Sequence, residues 1–332
     1  MTQFAASPHA EATLHTRRAL AAGLEADIAA LRRLRPPRRL AEIVFFAALW
    51  VAAIAVGVAA LDSQDWQGWA LRCIAIAAAA VALNAFYLLS HEGHHHLLFV
   101  NRTTNHFANI LLCVSLLHSP SAYRVLHELH HRYLGGPGDP DEYRNYTGDP
   151  RVRWALQWVR LTIGTLVYMP LIPIVAWRRA SGADRTPIAR EYAAMIVIWI
   201  VVFAVVPMRV LLQVWLIPGV LVGYISAVRA LAQHALTDAH DPLLASRSVR
   251  SNPIVSFCLL NENYHLEHHL FPEIPSYNLP RLHALLQTRL PHSIEARSYS
   301  RFLAGFIGRF LQGDESTLGF RGHDRVPRRA GS

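Results

Sequence analysis

"AEIVFFAALWVAAIAVGVAAL", residues 41–61, holds a single charged side chain, Glu42, in one unbroken apolar run. At about 1.5 Å per helical residue such a run crosses a bilayer core of about 30 Å. The loop after it, "DSQDWQGW" (62–69), is acidic and has no arginine. A second apolar run, 73–90, turns back and ends in "YLLSHEGHHH" (87–96). Arginines 17, 18, 32, 33, 35, 38 and 39 all precede the first run. By the positive-inside tendency the N-terminus is therefore cytoplasmic, and His91 emerges on that same side.

Further along, 105–118 is apolar but too short to cross, so it reads as re-entrant or interfacial. The run 154–177 is long enough but carries Arg160, Pro170 and Pro173, and the loop after it, "RRASGADRTPIARE" (178–191), is basic. A segment with both ends in the cytoplasm must dip and return or lie flat, and the two prolines offer a place to break. Runs 192–206 and 210–228, joined by "PMR", form a hairpin through the membrane. The expected fold is an all-α integral membrane protein. It has four transmembrane helices (about 41–61, 73–90, 192–206 and 210–228), re-entrant or interfacial helices and a cytoplasmic cap of histidine boxes. Residues 1–40 form a polar, partly helical cytoplasmic arm with no apolar core for a signal peptidase. Residues 41–290 form the membrane domain, and 291–332 a cytoplasmic tail.

Composition agrees. Over 332 residues, 52% are hydrophobic and 17% charged, and the mean hydropathy is +0.21, which is low in charge for a soluble domain. The net charge of +9 comes wholly from arginine. Its placement beside apolar runs points to topology and acidic headgroups rather than nucleic acid. The all-arginine, alanine-rich composition suggests a bacterial source, and hence an inner membrane. The spans lack central ionisable residues, so they show no ion or proton path. Cys73, Cys113 and Cys258 form no CxxC pair. Zinc ribbons, iron–sulfur clusters and attached haem thus lack ligands, and the three read as small buried residues.

Of 19 histidines, most fall in three boxes: "HEGHHH" (91–96), "HELHH" (127–131) and "HLEHH" (265–269). Each contains H-x-x-H-H, and span parity brings all three to one membrane face. Rings at i, i+3 and i+4 share a helix face. Three imidazoles together are reasonable around a cation, since imidazole is the commonest metal ligand. His91, His95, His127, His130, His131, His265, His268 and His269 make eight, with His94 an alternative to His95. A catalytic zinc takes three protein ligands, so this number suits two metals, and spacing leaves Zn, Cu, Fe and Ni open. Glu92, Glu128, Asp139, Asp141, Glu262 and Glu267 stand beside the boxes as partners that could fix ring orientation. Asn263 could hold a metal-bound water. His106, His118, His240, His283, His292 and His323 lack box spacing and read as structural or surface residues.

The order H-x-x-x-H, H-x-x-H-H and, after a pair of spans, H-x-x-H-H resembles the membrane-bound fatty acid desaturase family over roughly residues 80–290. The most specific parts are the first box, "HHRYLGGPGDPD" (130–141) and "NYHLEHHLFPEIP" (263–275). The second of these is similar to bacterial and sphingolipid-type desaturases. The resemblance implies two non-haem irons, dioxygen as co-substrate and two external electrons. It implies ligands at His91, His95, His127, His130, His131, His265, His268 and His269. His95 is preferred to His94 because it matches the family spacing at i+4. His234, in "RALAQHALTDAH" (229–240), stands where the family often supplies a further ligand. His265 replaces the glutamine of front-end desaturases and argues against that branch.

An acyl C–H bond has no acidic proton, so a cofactor must carry the chemistry. Phe86, Tyr87, Tyr123 and Tyr264 are candidates to line a substrate tunnel. The substrate expected is an acyl-lipid, acyl-CoA or acyl-carrier chain. "GGPGDP" lacks the glycines and helix of a dinucleotide fingerprint, and no flavin or iron–sulfur motif is visible. A separate ferredoxin or cytochrome-type donor is therefore expected, docked against the arginines. Three rivals stay open: a hydroxylase on the same irons, a membrane zinc-binding protein or metal transporter, and a zinc hydrolase built on "HEGHH" (91–95).

Overall fold

The computed structural model describes residues 7–290 and 295–318. Residues 291–294 and 319–332 of the expected C-terminal tail, His292 and His323 among them, lie outside the described residues. Two short helices, α1 (Pro8–Ala21) and α2 (Glu25–Leu31), precede α3 (Pro36–Ala59) and α4 (Trp66–His94), which pack as a hairpin. Then come α5 (Arg102–Val114), α6 (Pro120–Tyr133), α7 (Pro150–Thr162), α8 (Gly164–Arg179) and α9 (Gly182–Val205). Helix α10 (Met208–Leu211) runs through a π turn into α11 (Ile217–His234). The rest is α12 (Pro253–Cys258), α13 (His265–Leu270), α14 (Leu279–Leu286) and α15 (Tyr299–Leu311). A two-residue parallel pair, β1 (Ser248–Val249) with β2 (Glu295–Ala296), clips the end.

Among the described residues, four helices are long and apolar enough to cross a membrane: Pro36–Ala59, Trp66–His94, Gly182–Val205 and Met208–His234. Each expected span falls on one of them, with 41–61 and 192–206 running one or two residues past the helix end. The protein is a multi-pass, all-α membrane protein. In α4, 61% of the apolar window is buried within the protein, against 17% in α3 and α9, so α4 is the central span. Its 29 residues extend about 43 Å, well beyond a core of about 30 Å. The excess carries His91 and His94 out of the apolar layer. Helix α11 ends likewise at His234.

Helix α5, with 13 residues, is too short to cross. Its exposed Phe107 and Leu111 give it the apolar face of an interfacial helix. The 154–177 segment is broken, its two pieces meeting at 116°. The break is not at the prolines, as expected. It falls at Ile163–Gly164, while Pro170 and Pro173 lie inside α8. A proline removes one backbone hydrogen bond and bends a helix, whereas the non-helical ψ of Ile163 ends one. The cysteine reading also needs correction: Cys113 is buried, but Cys73 is exposed and Cys258 half-buried. Cys73 lies near the start of α4, on a span whose outer face is apolar, where a thiol need not be inside.

The cap is tied to the spans by a buried ion pair. Arg39, at the start of α3, reaches Glu92 near the end of α4, and both are essentially unexposed (1% and 0%). Glu42 also accepts from Arg39 at 2.7 Å, and the Ser276 backbone N–H donates to Glu92 at 2.9 Å. Removing one partner of such a pair leaves a buried charge and costs about 3–5 kcal/mol. Arg39→Met is therefore expected to lower the melting temperature of the purified protein sharply. The double variant Arg39→Met with Glu92→Gln should recover part of that loss. Helices α1 and α2 join the same layer, with Leu20, Ile28 and Leu31 packed on Leu266, Leu270, Phe271 and Leu282.

Candidate metal centre

The three boxes and His234 sit on four separate elements that meet at one end of the bundle. Box one ends α4, box two lies on α6, His234 ends α11 and box three forms α13. Helix α6 is pinned at its start by Glu191 of α9. That carboxylate accepts from the Ser119 hydroxyl, from the Ser121 N–H (3.0 Å) and from the Ser121 hydroxyl (2.6 Å). The end of α11 is closed by Arg247, whose guanidinium donates to the carbonyls of Ala232 (2.7 Å) and Ala235 (3.0 Å).

All nine rings expected from the sequence converge, and they divide into two adjoining groups. The first is His91, His95, His127, His131 and His268, with ligand atoms all within 4.8 Å of one another. Its Nε2 atoms face one another at 2.8 Å (His95–His127), 3.0 Å (His131–His127) and 3.2 Å (His268–His131). The second is His130, His234 and His269. His265 joins it, with its Nε2 2.9 Å from that of His234 and 3.1 Å from that of His269. The groups abut where the rings of His131 and His269 stack at 4.3 Å.

Helical geometry explains the division. In each box the i and i+4 rings face one group, and the i+3 ring points elsewhere. Thus His127 and His131 enter the first group while His130 enters the second. His265 and His269 enter the second while His268 enters the first. His91 and His95 share the first, and His94 falls outside both. It contacts Asn109 Nδ2 at 3.2 Å instead.

Burial keeps most of these imidazoles neutral. It pushes His95 down to about 3 and His265 down to about 4, and holds His127, His131, His268 and His269 well below the usual histidine value. A neutral ring has the lone pair that a metal needs. His130 is the exception. Burial alone would lower it, but the Asp139 and Asp141 carboxylates prevail and push it up to about 9. Asp139 Oδ1 lies 3.0 Å from His130 Nδ1, and the same carboxylate accepts from the backbone N–H of Gly135 and Asp141. The "GGPGDPDEY" turn thus folds back to fix one ring.

Of the six acids read beside the boxes, three touch box rings. Besides Asp139 and Asp141, Glu262 lies 3.4 Å from His91 Nδ1 and 3.6 Å from His265 Nδ1. One carboxylate therefore orients a ring in each group. Burial would raise Glu262, but His91, His268 and His265 hold it well below the usual carboxylate range. The other three have different partners. Glu92 pairs with Arg39, Glu128 with Arg124, and Glu267 with His283. Asn263 Nδ2 donates to Val249 O, and its Oδ1 is buried without a partner. Tyr87 and Tyr123 meet through their hydroxyls at 2.9 Å, and Tyr123 stacks near His127. Phe86 packs against Trp50, and Tyr264 against His283.

Two convergent sets of buried rings, most of them held neutral, would be a poor core on their own, and they fit two transition-metal ions. Bonds of 2.0–2.1 Å place neighbouring ligand nitrogens roughly 3 Å apart, as the Nε2 pairs are. Because outer carboxylates typically change metal affinity 10–100-fold, Glu262→Gln is expected to weaken metal retention by that order. Competition with a chelator, compared with wild type, measures it. Glu191 had no signature in the sequence, since it belongs to no box and is brought to α6 only by tertiary packing.

A family model described as fatty acid desaturase matches residues 65–300. The chain is 26% identical over 312 residues to the dihydrorhizobitoxine desaturase of Bradyrhizobium elkanii, covering 86% of this chain and 84% of that one. It is 26% identical over 231 residues to a sphingolipid delta(4)-desaturase of Rattus norvegicus, covering 67% of each. Against the chloroplastic omega-6 fatty acid desaturase of Arabidopsis thaliana it is 24% identical over 251 residues, covering 66% of this chain and 54% of that one.

Proposed function

The chain belongs to the fatty acid desaturase family, and from that premise we propose that it is an oxidoreductase that introduces a double bond into an acyl chain at two irons held by its histidine groups. The observation that carries this is the division of nine rings into two abutting sets on one end of a membrane bundle. His91, His95, His127, His131 and His268 would hold one iron, and His130, His234, His265 and His269 the other. The irons would supply activation of dioxygen, drawing two electrons from outside, so that an unreactive C–H bond can be oxidised.

The protein's own residues do the rest. Glu262 and Asp139 fix the ring planes, Glu191 holds α6 in place, and the burial of the rings keeps bulk water away. The substrate would be an acyl-lipid, acyl-CoA or acyl-carrier chain passing near Tyr87 and Tyr123. The electron donor would be a separate ferredoxin or cytochrome-type protein. We place the histidine end in the cytoplasm of a bacterial inner membrane, on the arginine bias of residues 17–39. The organisation that follows is a cytoplasmic arm over 1–40, the catalytic membrane domain over 41–290 and a cytoplasmic tail over 291–332.

Mass spectrometry of total lipids from a bacterial host tests this, with wild type or His131→Ala expressed alongside a ferredoxin donor and its reductase. A product two hydrogens lighter, present only with wild type, supports desaturation. A product one oxygen heavier contradicts it in favour of hydroxylation.

A further inference from the structure

Three arginines are buried among the described residues: Arg39, Arg229 and Arg247. Two of them are satisfied. Arg39 pairs with Glu42 and Glu92, and Arg247 donates to the carbonyls of Ala232, Ala235 and Leu236. Arg229, on α11 and 7% exposed, makes neither an ion pair nor a hydrogen bond among the described residues, and its Nε is buried without a partner. Its guanidinium lies over the Tyr87 ring, 5.4 Å from the centroid. A cation–π contact offsets only part of the cost of taking a charge out of water. Stability is therefore a poor reason for this residue.

Its place supplies another. Tyr87 stands one turn before His91 on α4, and Arg229 stands five residues before His234 on α11. The guanidinium thus belongs to the layer next to the rings, on their membrane side. Its charge acts on His234 and His265, both of the second group. Neutral imidazoles bring a metal no negative charge of their own. The other charges around this group are engaged. Asp139 and Asp141 flank His130, Glu262 lies between His265 and His91, and Arg160, which also acts on His234, faces Asp141. Arg229 is the charge there that no ion pair answers.

We propose that Arg229 raises the reduction potential of the iron in the second group, easing its uptake of an electron from the outside donor. A fixed positive charge favours the ion of lower charge, so the ferrous state gains over the ferric. The same charge repels the metal itself, so Arg229 weakens metal retention in the second group. A role confined to packing predicts the reverse. This rests on the reading that the histidine groups hold two irons.

The test is a mediated redox titration of the purified, iron-loaded chain, followed by electron paramagnetic resonance, with chelator competition on the same preparation. A unit charge roughly 10 Å from an ion, at an effective dielectric of about 20, shifts such an equilibrium roughly tenfold. Tenfold is about 59 mV for one electron. Arg229→Met is expected to lower the potential of one iron by about that amount, and to hold metal at least about tenfold more tightly. Arg229→Lys keeps the charge and should stay near wild type on both counts. If Arg229→Met does not fold, Arg229→Gln is measured the same way against Arg229→Lys. Two irons at an unmoved potential in the neutral variant overturn the proposal, as does an equal fall in Arg229→Lys or a weaker hold on metal. Those outcomes leave the desaturase reading standing, whereas a wild-type chain that takes up no iron removes that reading itself.

Discussion

Replacing His131 by alanine is expected to reduce double-bond formation by more than about 100-fold. The Nε2 of His131 faces both His127 and His268, and its ring stacks on His269 of the neighbouring group. It therefore stands at the junction of the two sets. Outer-sphere partners of metal ligands already cost 10–100-fold when removed, so a ligand shared this closely must cost at least the upper end. His94→Ala is the matched control. It is the same substitution in the same kind of H-x-x-H-H box, at a ring that faces Asn109 rather than the centre. Metal content should be unchanged in that variant, with any effect confined to local packing. Loss of metal from His94→Ala would reverse the preference for His95 in box one, and full metal retention in His131→Ala would remove that ring from the first group. Both readings come from metal analysis and product formation on the same preparations.

The second large effect separates the two groups. His234→Ala removes a ring that belongs to no box and stands in the second set, its Nε2 2.9 Å from that of His265. The five rings of the first set are untouched. The purified variant should hold about one metal per chain where wild type holds about two, and it should form no product. Chelator competition ought to show the remaining metal held as tightly as in wild type. If His234→Ala retains its full metal content and activity, the second set does not use this ring.

Much of this was legible in the sequence because each signal has a short-range physical cause. Hydropathy marks a span, since a lipid core tolerates nothing else. The four expected runs coincide with the four long helices to within two residues at their far ends, 41–61 and 192–206 running just past Ala59 and Val205. H-x-x-H-H boxes mark a metal site because helical spacing alone brings three rings close. The partition of those rings was not legible. His130 and His131 are adjacent in the chain yet serve different groups, as are His268 and His269. Which side the i+3 ring faces depends on how α6 and α13 are rotated in the assembly, which spacing does not encode. The same limit hid Glu191, which helix packing brings to the start of α6. It also explains the misplaced break in 154–177, where Ile163–Gly164 interrupts the helix and the prolines do not.

The most direct test of the account is metal quantitation on the purified wild-type chain by elemental mass spectrometry. The two histidine groups predict about two irons per chain, with zinc absent after iron-replete expression. A stoichiometry near one, or zinc in place of iron under those conditions, would contradict a di-iron centre.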